Sequence, residues 1–378
     1  MRKINLFVPK FRIDECLVEI EECLKKGWSG MGFKTIEFEE AWKKYTSLNY
    51  AYFLNSATAG LDLAVNILKE TNSWKDEDEI ISTPMTFVST NHAILYNKLK
   101  PIFADVDEYL CLDPNSVKKL INSKTKAIMF VGLGGNTGRL SDIAHICKEK
   151  GLKLILDAAH MGGTRYKNGS FPGKDFADVI IYSFQAVKNL PTGDSGMICF
   201  RDQKNDEIVR KKAWLGINKD TYVRSNDDGI YKWKYEVEYL GYKYNGNSIM
   251  ASLGLVSLKY LDQDNAYRRQ MANWYDMFFK DCSNIKSVKM ADDCESSRHL
   301  YQILVNNRDE LIVNLNSVGI FPGVHYLDNT KYRMYSYAKG TCPNSRYYSD
   351  HVLSLPLHVN LSYDDIRYIS EMVKKYVK

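Results

Sequence analysis

The sequence predicts an α/β fold in which a large domain, with a mostly parallel sheet flanked by helices, is followed by a smaller C-terminal α+β domain. In the first half, short apolar runs alternate with helical patterns, and these runs lack the period-2 alternation of half-exposed strands. After about residue 246 the pattern changes to longer helices. We therefore expect a large domain at residues 1–246, including an N-terminal helix, and a smaller domain at residues 247–378.

The first predicted element is an amphipathic helix at residues 12–26, which ends at Gly27. Its apolar positions at helical spacing are Ile13, Leu17, Ile20 and Leu24. Short apolar runs then predict strands at residues 50–55, 79–82, 101–106, 126–131, 152–157, 179–183 and 196–200, with helices in most of the gaps. Later patterns predict helices at residues 247–263 and 265–282, a strand at 300–306 and a closing helix at 363–377.

Composition excludes several classes of protein. A net charge of +5, from 51 basic and 46 acidic residues, is too small and too mixed for a nucleic-acid surface. No apolar run is long enough for a signal-peptide core or a membrane span, so we expect a soluble cytoplasmic protein. The eight cysteines never form a C-x-x-C pair, which favours reduced core thiols over disulfides or a metal site.

Ligands of open α/β sheets bind at the carboxyl ends of the strands, so polar residues at strand ends are the first candidates for a site. Asn55, Ser56 and Thr58 follow the first strand where a helix starts, and free backbone N–H groups there favour a phosphate. Serine and threonine also cap helices in general, so that alternative stays open. Asp157 follows four apolar residues, and its carboxylate either needs a cationic partner or caps the next helix.

Two further strand ends supply a lysine and an aromatic ring. The strand at residues 179–183 leads through Ser183 to Lys188, at the mouth of a turn of Asn, Pro and Gly. Phe87 follows a Pro-containing turn, a position compatible either with the core or with a ring that stacks on a ligand. Pyridoxal 5′-phosphate requires a helix N-terminus for its phosphate, a carboxylate for its ring nitrogen, an aromatic face and a lysine for its aldehyde. Each requirement has one candidate in this sequence.

The blocks that carry these residues occur in a recognisable order. "FLNSATAGLDLAV", "LILDAAH", "YSFQAVKNLPTGDSGMI" and "VLSLPLHVNLSYDDI" resemble successive signatures of the DegT-type nucleotide-sugar aminotransferases, a branch of the fold type I pyridoxal-phosphate enzymes. The resemblance covers almost the whole chain. It implies Lys188 as the Schiff-base lysine, Asp157 as partner of the pyridine nitrogen, Phe87 as the stacking ring and His160 as a neighbour of the phenolic oxygen.

The resemblance also implies how the phosphate is held. Ala57, Thr58 and Ser183 would bind it within one subunit, and Lys243 or Asn245 would reach it from the other subunit of a homodimer. The family usually has Ser-Gly-Thr where this chain has Ser56-Ala57-Thr58, a change that phosphate binding should survive.

The substrate region departs further from the family. His325 and Tyr326 match its V-H-Y element and are the candidate substrate residues. The Pro-Leu-His that commonly follows is replaced by residues 327–329, Leu-Asp-Asn, which puts substrate recognition in doubt. His160 stands where many members have glutamine.

The implied function is the transfer of an amino group from glutamate to a ketone of a nucleotide-linked deoxysugar, for surface polysaccharide or glycoconjugate biosynthesis. The alternatives are an acceptor that is a small phosphorylated or other keto compound, a sugar dehydratase of the same fold, or a regulator without turnover. Lys188 argues against the dehydratase, whose relatives carry histidine there. A dinucleotide-binding reading of "GLGGNTG" fails, because the third glycine of the motif is Thr137.

Overall fold

The computed structural model describes residues 3–218 and 235–378. The chain begins with a two-residue strand and two helices, and then alternates between helices and strands. The elements up to residue 212 are β1 (Ile4–Asn5), α1 (Ile13–Lys25), α2 (Phe33–Thr46), β2 (Tyr52–Leu54), α3 (Ala57–Thr71), β3 (Glu79–Ser82), α4 (Val88–Tyr96), β4 (Lys100–Phe103), α5 (Pro114–Leu120), β5 (Thr125–Val131), α6 (Leu140–Lys150), β6 (Lys153–Asp157), β7 (Arg165–Tyr166), β8 (Val179–Ser183), β9 (Gly196–Phe200) and α7 (Gln203–Lys212).

A seven-stranded sheet in the order β2-β9-β8-β6-β5-β3-β4 forms the centre of the fold. Strands β8, β6, β5, β3 and β4 pair in parallel, and β9 runs antiparallel to both of its neighbours. All seven strands predicted in this half are present, and the mostly parallel sheet is confirmed. Because every strand except β9 runs in the same direction, their carboxyl ends meet at one edge of the sheet.

Both faces of the sheet are buried, which explains the uninterrupted apolar runs of the sequence. On β5, Ile128 and Phe130 join a core cluster with helices α2, α6 and α8 (Ser248–Phe279). Ala127 and Met129 join a second cluster with α3, α4 and α7 on the opposite face. Since alternate residues of a strand point to opposite faces, each face needs its own apolar set.

Helix α1 is present as predicted, but its large apolar residues do not form its buried face. Three of its positions are mostly exposed in the structure: Ile13 (66%), Leu17 (58%) and Leu24 (64%). The buried residues of α1 are Cys16 and Cys23, and the Cys23 sulfur lies 3.4 Å from Ser252 Oγ of α8. Small side chains allow the two helices to approach closely, so the helix turns its cysteine side inward. Hydrophobicity alone therefore selected the wrong face.

After α8, the C-terminal part is built from short strands and helices. These are β10 (Lys286–Ser287), β11 (Cys294–Glu295), β12 (Tyr301–Leu304), α9 (Arg308–Ser317), β13 (Ile320–Phe321), α10 (Pro343–His351), β14 (Val352–Leu355) and α11 (Tyr363–Tyr376). Strands β10, β12 and β14 form an antiparallel sheet, β1 pairs with β13, and β7 pairs with β11. Ile4 of the N-terminal strand is part of the apolar cluster between this sheet and its helices.

Helix α8 is a single 32-residue helix, where the sequence predicted two. The expected break lies at Asp264 and Asn265, which are poor helix formers when they are exposed. Here both side chains have partners outside the helix. Asp264 binds the guanidinium of Arg12 through two 2.8 Å contacts, and Asn265 donates to the Gly162 carbonyl at 2.9 Å. These bonds satisfy the polar groups without interrupting the helix, and the division into domains at residue 246 stays a prediction.

Within residues 3–218 and 235–378, no helix has the length and apolar character needed to cross a bilayer. All eight cysteines are free thiols, and six of them are buried, as expected for core residues.

Candidate active site

A cavity of about 440 Å³ lies at the carboxyl edge of the central sheet, within the usual size range of small-molecule sites. Strand ends of the large sheet form one side, and segments from the N-terminus and the C-terminal part form the other. Most of the predicted site residues line it: Ala57, Thr58, Phe87, Asp157, His160, Ser183, Lys188, His325 and Tyr326. The structure therefore brings together residues from five different segments of the chain.

Lys188 lies in the tight turn between β8 and β9. Its backbone N–H donates to the Gln185 carbonyl at 2.8 Å, and the Gln185 side chain accepts from the Val187 N–H at 2.9 Å. These bonds fix the turn, so the lysine side chain extends from a rigid base into the cavity. Removal of its amine from water lowers the pKa of Lys188 to about 8, and the nearby Asp157 carboxylate opposes that shift. A substantial fraction of the amine is then neutral and nucleophilic near neutral pH.

Asp157 ends β6 and is buried, and the described residues donate two hydrogen bonds to its carboxylate. Thr90 donates its hydroxyl to Oδ2 at 2.8 Å, and the Ala159 N–H donates to Oδ1 at 3.1 Å. Burial raises the pKa of Asp157, while these two donors and Lys188 lower it. An ionised carboxylate in this place is stabilised by a further positive charge, and a protonated ring nitrogen would supply one.

The start of helix α3 forms the phosphate corner of the cavity. Ser56 caps the helix by accepting from the Ala59 N–H at 3.1 Å. The N–H groups of Ala57 and Thr58 precede the first intrahelical bonds and are left without a partner in the helix. The first residue of β9 passes so close that a Cβ on Gly196 would lie 2.6 Å from the Ala57 nitrogen. Glycine at position 196 therefore lets β9 run close beside the first turn of α3.

Phe87 is the residue before α4, and its ring is 57% exposed at the cavity. The ring centroids of Phe87 and Tyr326 are 6.0 Å apart. An aromatic face that remains open beside a cavity suits a planar ligand better than a core role, the alternative considered from the sequence.

Three histidines surround Lys188. His160 and His299 have ring centroids 4.3 Å apart, and His325 lies on the same side of the cavity. Burial lowers the pKa of His160 and His299 well below the usual value and that of His325 to about 4, with Lys188 adding to each shift. All three rings are therefore neutral at physiological pH.

Sequence reasoning missed several lining residues, including Phe7, Thr90, Gln185 and His299. Thr90 lies one turn after Phe87 in a block that the sequence had singled out, so helical spacing could have identified it. Phe7 and His299 carry no such signal. Phe7 is an apolar residue in an N-terminal loop, and its ring stacks on that of His299 with centroids 5.2 Å apart.

Residues 327–329, which depart from the family pattern, lie in the C-terminal part and form hydrogen bonds to α4 and the loop before it. Asn329 is buried, donates to the Thr86 carbonyl at 2.8 Å and accepts from Asn91 Nδ2 at 2.9 Å. Asp328 accepts from the Thr330 N–H at 2.7 Å. Neither side chain lines the cavity. The departure from the family pattern therefore affects a structural contact that supports the loop of Thr86 and Phe87.

Lys243 and Asn245 do not line the cavity of their own chain. Their segment runs beside the end of β2, where the Asn55 N–H donates to the Tyr244 carbonyl at 2.8 Å. The Lys243 ammonium lies 3.0 Å from the centroid of the Trp214 ring, and no carboxylate of the described residues pairs with it. The Asn245 side-chain oxygen is buried, and no described residue bonds to it. Within residues 3–218 and 235–378, neither the Lys243 ammonium nor the Asn245 oxygen therefore has a polar partner.

Taken together, the cavity fits pyridoxal 5′-phosphate. Unpaired N–H groups at a helix N-terminus suit its phosphate, the underpaired buried Asp157 suits a protonated ring nitrogen, and the amine of Lys188 suits its aldehyde.

Comparison with known proteins agrees with this fit. The family model described as the DegT/DnrJ/EryC1/StrS aminotransferase family matches residues 12–374. The spore coat polysaccharide biosynthesis protein SpsC of Bacillus subtilis is 32% identical, with 96% of this chain and 95% of SpsC covered. The dTDP-4-dehydro-2,3,6-trideoxy-D-glucose 4-aminotransferase of Saccharopolyspora spinosa is 30% identical, with 99% and 97% covered.

A solved structure extends the similarity to three dimensions. The PLP-form of Spr1654 from Streptococcus pneumoniae has a TM-score of 0.88 to this chain at 26% identity, with 100% of both chains covered. The same protein is also known in a PMP-form, again with a TM-score of 0.88.

Proposed function

The chain belongs to the DegT/DnrJ/EryC1/StrS aminotransferase family, and from this premise we propose that it transfers the amino group of glutamate to a ketone of a nucleotide-linked deoxysugar. Dependence on pyridoxal phosphate and aminotransferase chemistry are properties of the family. The proposal is carried by one observation, namely that Lys188 and Asp157 share a cavity with the N-terminus of α3. We further propose that the product serves surface polysaccharide or glycoconjugate synthesis, as the name of SpsC suggests for that relative.

Pyridoxal phosphate, when bound, supplies an electron-poor ring that accepts the electron pair left when a proton leaves the substrate carbon. In our proposal Lys188 would hold the cofactor at its aldehyde through Nζ and, when this amine is free, would carry a proton to and from the reacting carbon atoms. Its lowered pKa suits both tasks, since Nζ must accept and release a proton near neutral pH. Asp157 would hold a proton on the ring nitrogen, and Phe87 would orient the ring by stacking.

Two features support a nucleotide-sugar acceptor. The cavity is lined by hydrogen-bonding side chains at its C-terminal side, including His299 and His325, which suit the hydroxyl groups of a sugar. The Saccharopolyspora relative is named for a dTDP-linked keto sugar, and the alignment with it covers almost the whole chain. Support for glutamate comes only from the family resemblance, so the donor needs a direct test.

The function can be tested with glutamate as donor and a panel of acceptors, by measuring the release of 2-oxoglutarate. We expect release with one or more 4-keto or 3-keto deoxysugar nucleotides and none with small keto-phosphates. Release only with small keto compounds would replace the proposed acceptor class. Formation of pyruvate from alanine or of 2-oxoglutaramate from glutamine, with no 2-oxoglutarate formed from glutamate, would correct the donor and leave the acceptor unchanged.

We also propose that two subunits share each active site. Lys188 is the only lysine or arginine among the described residues that line the cavity, although the site must bind a phosphate dianion and a dicarboxylate donor. Lys243 has no carboxylate partner among the described residues, and Asn245 has an unpaired buried oxygen. Across a two-fold interface these groups would complete the partner's phosphate corner.

The shared site predicts complementation between two defective proteins. Lys188→Ala mixed with a Lys243→Ala/Asn245→Ala variant should form heterodimers that contain one intact site, so a 1:1 mixture should approach about one quarter of wild-type activity as subunits exchange. Activity is followed over time, and exchange is confirmed by native mass spectrometry.

The matched control mixes Lys188→Ala with Asp157→Asn. Each of those changes damages the site of its own subunit, so every heterodimer site stays defective and no activity should return. Recovery in the control, or none in the test mixture despite exchange, contradicts a shared site. A fully active monomer would do the same.

A further inference from the structure

The hydrogen positions on the buried histidines follow from their neighbours. The backbone N–H of Gly134 points at Nδ1 of His160 from 3.2 Å. A backbone N–H can only donate, so Nδ1 must be the acceptor nitrogen. Because burial keeps the ring neutral, the single ring hydrogen of His160 is on Nε2.

That assignment fixes the hydroxyl of Tyr326 as well. His160 Nε2 lies 3.1 Å from Tyr326 Oη, so the histidine donates and the tyrosine oxygen accepts. If Tyr326 donated to His160 Nε2 instead, the ring hydrogen would be on Nδ1. It would then face the Gly134 N–H, and two donors would point at each other. No other described group bonds to the Tyr326 hydroxyl, and the residue lines the cavity. Its own hydrogen is therefore free for a ligand.

His299 has the opposite tautomer. Both amide hydrogens of Asn189 are used, one on Asn265 Oδ1 and one on the Ser297 carbonyl, each at 2.7 Å. The remaining oxygen of Asn189 must accept from His299 Nδ1 at 2.9 Å. His299 Nε2 is thus a bare acceptor and cannot donate to a ligand oxygen.

We propose that Tyr326 donates the hydrogen bond to the phenolic oxygen of the bound cofactor, and that His160 is a positioning residue that directs the tyrosine hydrogen into the cavity. The sequence suggested His160 for this contact and Tyr326 for the substrate, and the proposal rests on the proposed function for the place of the cofactor. The ring of Tyr326 lies beside the stacking candidate Phe87, and the Asp157 carboxylate is near enough to raise the pKa of Tyr326 together with burial. Tyr326 is therefore close to both groups expected to contact the ring.

The experiment measures the pH at which the nitrogen that would join Lys188 to the cofactor loses its proton. This pH is the midpoint of a titration followed by visible absorption. When this proton leaves, the negative charge on the phenolic oxygen loses its neighbouring cation, and a donor to that oxygen stabilises the deprotonated form. Loss of the donor should raise the midpoint of the visible absorption titration. The titratable residues that line the cavity are Asp157, His160, Lys188, Asp194, His299, His325 and Tyr326, and the three histidines are neutral through burial.

The experiment titrates the visible band of the holoenzyme in four variants. Tyr326→Phe should raise the midpoint by about one pH unit or more, the size expected for a hydrogen bond to a charged group. His160→Leu should raise the midpoint less than Tyr326→Phe does. In a protein that already carries Tyr326→Phe, His160→Leu should cause no further rise. His160→Gln can still donate to Tyr326 and should restore a midpoint near that of wild type.

Tyr335→Phe is the matched control, since Tyr335 is buried and its hydroxyl lies outside the cavity. It should leave the midpoint unchanged. A midpoint that responds to His160→Leu but not to Tyr326→Phe would make His160 the direct donor and overturn the proposal. So would a Tyr326→Phe enzyme with an unchanged midpoint and a raised KM for the keto substrate alone, which would make Tyr326 a substrate contact. A wild-type protein that forms no visible band would overturn the proposed function itself, and the proposal with it.

Discussion

Lys188→Ala should lose transamination by at least about 10³-fold, because one residue serves both as covalent anchor and as proton carrier. The protein should still fold, since its backbone turn is held by Gln185 and not by the lysine side chain. Turnover is measured with saturating donor and acceptor, and thermal unfolding is measured in parallel. An exposed lysine, Lys118, provides the control, and Lys118→Ala should retain activity.

The pH dependence of cofactor capture tests the same assignment. Only the neutral amine attacks an aldehyde, and the pKa of Lys188 is about 8 in the cofactor-free chain. The rate at which the visible band forms should therefore rise as the pH is raised through about 8, and level off above it. A Lys188→Ala protein that still formed the band and transaminated at nearly the wild-type rate would show that another amine is the anchor.

Asp157→Asn should lower turnover by about 10²-fold or more, the cost typical of removing one electrostatic contact to the reacting system. Asparagine has the same size, and its one oxygen can accept from the Ala159 N–H while its amide nitrogen donates to the Thr90 hydroxyl, but it carries no charge to hold a proton on the ring nitrogen. The loss should appear in kcat and in the visible spectrum of the bound cofactor.

The thermal stability of the Asp157→Asn protein should not fall as its turnover does. Burial raises the folded-state pKa of Asp157 above its unfolded value, so at neutral pH the ionised carboxylate opposes folding in the cofactor-free protein. Asp157→Asn should therefore unfold at the same temperature as wild type or higher when no cofactor is bound. Asp281→Asn, at an exposed position, should change neither activity nor unfolding. Equal turnover of Asp157→Asn and wild type would mean that a different carboxylate serves the ring.

The central sheet was predictable because it is covered on both faces. Each strand of such a sheet is a short apolar run bounded by polar residues. This pattern can be recognised in the sequence without knowledge of the strand order. The strand ends Asp157 and Ser183 were predictable for the same reason, since polar residues directly after apolar runs lie at the edge where ligands bind.

Other features depend on contacts between distant segments. The inward face of α1 follows from two cysteines that fit against α8, and the continuity of α8 follows from Arg12 and Gly162, which are far away in sequence. His299 gives no signal of its own, because its role depends on Asn189 across the cavity. Periodicity within a segment describes local structure, and these features arise only when the segments meet.

The continuous helix α8 has a structural consequence. At 1.5 Å per residue its 32 residues span about 48 Å. Asn265, near its midpoint, is joined to Asn189, the residue after Lys188, by a 2.7 Å hydrogen bond. One half of the helix packs on α1 and α2 and the other half on α11. Because the helix is continuous, the turn that carries Lys188 is bonded near the midpoint of one element whose two halves pack on different helices.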